Sequence, residues 1–142
     1  MLTSAQIEKI YPYVLAAILT VVYNFIGAPM PPANAYTAVL GAAAGASAIF
    51  VGFLSATKAV ILGTSSSAAY VILRKSGFLS MLFGYIKSSI YSSISLAVAS
   101  IILMFFDPEN PVALNIWHLK IENGIFIPWV FLGALSVLTL LR

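Results

Sequence analysis

The chain has no cysteine, one histidine, and seven basic against four acidic residues in a length of 142. Without cysteine there is no disulfide framework, no thiolate metal site and no thiol redox chemistry. The single histidine, His118, stands beside Trp117 and near Lys120 and Glu122. A metal site needs three or four converging ligands, so one imidazole with a few carboxylates reads as an interfacial histidine, and neither metal nor cofactor is expected. Ser65, Ser66 and Ser67 have no neighbouring His or Lys base, and no Gly-x-Ser-x-Gly elbow occurs. No Gly-rich phosphate motif occurs, since the glycines of span two lie within an apolar helix and not between a strand and a helix. The expectation is a protein that is not an enzyme.

Charge is scarce as well. Only 8% of residues are charged, where a soluble domain carries roughly a quarter. The net charge of +3 comes from scattered residues that form no run or stripe able to track a phosphate backbone, so no direct nucleic-acid partner is expected.

What the sequence does have is apolar length, with 61% hydrophobic residues and a mean hydropathy of +1.03. Bilayer is the solvent such a chain fits. Four apolar stretches read as spans, over about 10–26, 36–58, 87–106 and 125–141. The first is opened by Tyr11 and Tyr13, with Pro12 placed in the first helical turn, and is closed by the Pro-rich segment after Gly27. The N-terminus lacks the basic segment and small-residue cleavage pattern of a signal peptide, so this stretch is expected to be retained. The apolar run that holds the second span continues from Ala35 almost to Arg74-Lys75, interrupted only by Lys58 and Thr64 to Ser67, and is too long for one crossing. From Tyr36 to Lys58 a helix rises roughly 33 Å at 1.5 Å per residue, which matches the hydrocarbon core with Lys58 at the far interface. Lys87 marks the same interface for span three, and Arg142 anchors the end of span four, where Trp117 and Trp129 are candidate anchors on the other side.

These boundaries predict an all-α polytopic membrane protein of one domain, 1–142, with both termini cytoplasmic and outer loops at 27–35 and 107–124. Of the basic residues, Lys9, Lys58, Arg74, Lys75, Lys87 and Arg142 then lie inside and only Lys120 outside. Segment 59–86 is cytoplasmic yet rich in large apolar side chains, which a solvated loop does not tolerate. Spans two and three are therefore expected to continue inward as helices joined at Ser76-Gly77, where a helix of about 16 residues would project roughly 24 Å. Such a hairpin must be covered by copies of itself, a cytoplasmic partner or the bilayer surface, with Arg74, Lys75, Phe78 and Phe83 as the candidate contacts. The alternative is a re-entrant or interfacial segment.

In lipid, helices associate where small residues let backbones approach. Span two has Gly41 and Gly45 as a GxxxG pair, extended at helical spacing by Ala48, Gly52 and Ala56. Span three has Ser88, Ser89, Ser92, Ser93, Ser95 and Ser100, whose hydroxyls suit packing within a subunit or between subunits. Gly41, Gly45, Gly52, Ala56, Ser88, Ser92 and Ser95 are thus the candidate packing or oligomer contacts. No span has a charged residue at mid-depth, which removes the usual proton or ion relay.

Gly52-Phe53-Leu54-Ser55-Ala56, Arg74-Lys75-Ser76-Gly77-Phe78 and Tyr85-Ile86-Lys87 together resemble a pattern in small bacterial four-helix membrane proteins, some encoded with anti-phage defence components. The resemblance covers the middle third, rests on non-catalytic residues and leaves the outer loops unmatched. It implies a bacterial inner-membrane subunit that assembles with itself or a cytoplasmic partner. Two functions are carried forward: a non-enzymatic oligomeric membrane subunit acting through segment 59–86 as a sensor or effector in phage defence, or a small channel or permeabilising pore lined by the serines of span three or the small face of span two.

Overall fold

The computed structural model describes residues 4–26, 31–106, 114–116, 119–121 and 126–141. Five helices make up almost all of it: α1 (Ser4–Phe25), α2 (Ala33–Gly63), α3 (Ala68–Lys75), α4 (Phe78–Leu103) and α5 (Phe126–Leu140). The fold is all-α as expected, and one short antiparallel ribbon in the α4–α5 connection, β1 (Leu114–Ile116) with β2 (Leu119–Ile121), pairs Asn115 with Lys120. Trp117, His118 and Glu122 lie outside the described residues.

Two helices are long and apolar enough to cross a bilayer: α2, over the 30 residues Asn34–Gly63, and α4, over 26. The apolar stretches Ile10–Phe25 and Phe126–Leu140 are shorter. At 1.5 Å per residue, the 15 residues of α5 rise about 22 Å, less than the roughly 30 Å of a hydrocarbon core.

The long helices form a row in which α2 packs on α4, α4 on α5, and α5 on α1. Neighbours run antiparallel. Tyr36 near the start of α2 meets Leu103 at the end of α4, while Ser89 in the first half of α4 meets Thr139 at the end of α5. Tyr13 of α1 reaches Ser88, so the start of α1 lies at that same end. The row does not close, since α1 and α2 share no packed seam among the described residues. Two small cores result. Tyr36, Leu40, Leu103 and Phe126 gather at one end with Trp129 and Val130 against them, and Ala16, Leu135 and Leu138 gather between α1 and α5.

Alternation places the charge. Lys9 on α1, Lys58 near the end of α2, Arg74 and Lys75 on α3, and Lys87 in the first half of α4 all fall toward one end of the row, and Lys120 of β2 lies in the connection at the other. Arg142 lies outside the described residues.

Two expectations are corrected by the helix boundaries. Pro12 is not in a first turn: the helix-compatible run from Ser4 to Lys9 starts α1 earlier, leaving Pro12 inside it, fully buried and unable to donate to the Glu8 carbonyl. Nor does α2 continue inward to Ser76. It stops at Gly63, because the Thr64 hydroxyl bonds back to the Ile61 carbonyl and Ser67 starts a new helix by accepting from the Tyr70 amide. The eight-residue α3 then packs against α4. The junction at Ser76-Gly77 is a turn with Gly77 at φ +76°, where a Cβ would be strained, and α4 runs unbroken from there past Lys87.

Candidate functional site

Small polar residues recur every three or four positions along α4, which puts Ser89, Ser92, Ser93 and Ser100 on the side facing α5. Each finds a partner. Ser89 Oγ donates to the Thr139 carbonyl at 2.7 Å, Ser92 Oγ lies 2.8 Å from Thr139 Oγ1, and Ser93 Oγ lies 2.9 Å from Ser136 Oγ. At the other end of the seam, the Trp129 indole donates to Ser100 Oγ at 2.7 Å, and Ser100 donates to the Leu96 carbonyl. Thr139 is next to last in α5, so its carbonyl has no amide one turn onward, and Ser89 supplies the missing donor. Tyr36 does the same for α4 by donating to the Leu103 carbonyl at 3.0 Å.

This seam needs no water. Ser93, Ser100 and Ser136 are almost wholly buried, and their hydroxyls are satisfied by one another or by carbonyls. In an apolar medium such pairs give the seam a fixed register, since sliding the helices past each other would leave several hydroxyls unbonded.

The small face of α2 is used differently. Gly41 lies against α4, where an added Cβ would sit 3.4 Å from the end of Met104. At Gly45 and Gly52 an added Cβ would meet nothing within 4 Å, and Ala56 is exposed. Large apolar neighbours share this exposure, including Ile49 at 71% and Phe53 at 68%. In the most apolar stretch of α2 only 11% of residues are buried, against 39% in α4. A core helix of a soluble domain would be covered on its apolar side; α2 is the open edge of the row.

The remaining predicted residues divide between the groups. Ser88 and Ser95 turn away from the seam, Ser88 toward Tyr13 and Ser95 exposed. Lys58 and Lys87 are exposed, the latter with its ammonium 5.7 Å from the centre of the Tyr91 ring. Arg74, Lys75 and Phe78 are exposed around the α3–α4 turn, while Phe83 is half-buried. The α5 half of the seam, Ser136 and Thr139, escaped the sequence reading. Its signal was available as two hydroxyls three residues apart in an otherwise apolar helix.

No family model matches the chain, and no curated protein or solved structure matches it either. The resemblance to small bacterial four-helix membrane proteins therefore rests on its quoted residues alone.

Proposed function

We propose that the chain is a non-enzymatic, integral membrane subunit with four crossings and cytoplasmic termini, which assembles with copies of itself along the open edge of α2. The observation that carries this reading is the uncovered small face around Gly45 and Gly52 on a 30-residue apolar helix. Such a face allows close backbone approach, the main source of helix association in lipid. The gathering of Lys58, Arg74, Lys75 and Lys87 at one end supports a cytoplasmic assignment for that end. The short apolar length of α5 is accommodated by local thinning of the bilayer.

In this reading α3 and the following turn offer Arg74, Lys75 and Phe78 to a cytoplasmic partner, on a platform shorter than a projecting hairpin. The setting implied by the resemblance is the bacterial inner membrane and a sensor or effector role in phage defence. A pore lined by the span-three serines is disfavoured, because four of those hydroxyls are engaged in the α4–α5 seam or its backbone.

The test is the mass of the purified protein in detergent. A discrete oligomer is expected, with Gly45→Leu and Gly52→Leu together giving a folded monomer; a monomeric wild type would sink the assembly reading. Reporters fused at Ser76 and Asn115 should report opposite sides of the membrane, and finding both on one side would exclude four crossings. Ion flux through liposomes that disappears in the Gly45→Leu protein would favour a pore bounded by α2.

A further inference from the structure

Because α1 rests on α5 and not squarely on α4, a groove of about 420 Å³ is left between α1 and α4 at the basic end of the row. Its floor is apolar, formed by Leu132 and Leu135 of α5. One wall is Tyr13 of α1; the other is the α4 face carrying Lys87, Ser88, Tyr91 and Ser95, with Gly84 keeping the entrance free of a side chain. Lys87 to Ser95 is two helical turns, or about 12 Å along α4, so polar groups line the groove from the basic end inward.

Several of these groups have bonding capacity left. The Tyr13 and Ser88 hydroxyls are 3.4 Å apart, a long contact between exposed groups. The Ser95 hydroxyl has no hydrogen-bond partner among the described residues, whereas those of Ser89, Ser92, Ser93 and Ser100 on the neighbouring side of α4 all do. Lys87 holds its ammonium 5.7 Å from the centre of the Tyr91 ring. A hydroxyl and an ammonium at such a wall call for a ligand with oxygen acceptors and negative charge, and the leucine floor calls for a hydrocarbon continuation.

We propose that this groove binds an anionic glycerophospholipid of the adjacent leaflet, its phosphate at Lys87, Tyr13 and Ser88 and its glycerol ester region toward Ser95 over Leu132 and Leu135. The inference rests on the membrane reading above. The volume suits a headgroup and glycerol with the acyl chains left in the bilayer, since drug-sized sites run from about 300 to 1,000 Å³. The phosphate is the recognised chemistry and the acyl-bearing lipid its source, because the groove meets the basic end of the row where an anionic surface would lie.

The experiment is native mass spectrometry of the full chain, reconstituted in phosphatidylcholine with or without phosphatidylglycerol and released from the bilayer in detergent. Retained phosphatidylglycerol in preference to phosphatidylcholine is expected. Lys87→Gln should lower that retention about five- to tenfold and Ser95→Val less, while Lys58→Gln, which removes a cation at the same end but outside the groove, should leave it unchanged. Equal retention of both lipids, or equal effects of Lys87→Gln and Lys58→Gln, would overturn the site. Soluble glycerol phosphate at millimolar concentration should not displace the lipid; displacement would overturn the lipid assignment. Carbonate extraction reports the underlying reading separately, because a protein washed into the supernatant removes the membrane reading itself, whereas a pelleting protein without lipid preference removes only the groove proposal.

Discussion

The α4–α5 seam and the outer face of α2 are both built from small residues, yet the first is closed by paired hydroxyls and the second faces open space. The difference lies in what each side chain brings. A serine carries a donor and acceptor that must be satisfied in an apolar medium, so its partner is dictated by geometry; glycine and alanine only permit approach and leave the partner open. Hydroxyl-bearing faces therefore fix how the chain's own helices pack, and bare small faces commit to no partner within it.

Ser93→Leu is the strongest way to break this contrast. It inserts a large side chain into a site with no exposed surface and leaves Ser136 without its 2.9 Å partner, so a loss of about 3 kcal/mol is expected in detergent unfolding. An unchanged midpoint would mean that the seam does not hold the subunit together. Trp129→Phe is milder. It keeps the ring against Phe126 but removes the indole donor to Ser100, and should cost about 1 kcal/mol, read as a lowered unfolding midpoint with the oligomer unchanged. Gly45→Ala is the smallest. With no atom near the new methyl group, the isolated subunit should gain about 0.5 kcal/mol from reduced backbone freedom; a measurable loss would show that the α2 face is already packed within one chain.

The elements most readable from the sequence are those set by punctuation and period. The Ser76-Gly77 junction follows from glycine's tolerance of positive φ, and the uninterrupted α4 follows from a run without Pro or charge between Lys87 and Leu103. The stop at Gly63 was not legible in the same way. Thr64 to Ser67 is compatible with a continuing helix in composition, and only the competition of Thr64 and Ser67 side chains for backbone groups ends one helix and starts the next. The serines of α4 announced a packed face, but not which helix meets it, because an apolar partner gives no hydrophobic pattern to choose between neighbours. The groove was hidden for a related reason: Tyr13, Lys87 and Leu135 come from three helices, and their proximity depends on how α1 seats on α5.

That seating gives the order of synthesis a particular consequence. Three helices separate α1 in the chain from the one it packs on, since α1 docks on α5 while α2 and α4 pair with each other. Until α5 is made, Ala16 of α1 lacks Leu135 and Leu138, the side chains that cover it. Synthesis of α5, and not of the helices between, is what encloses α1.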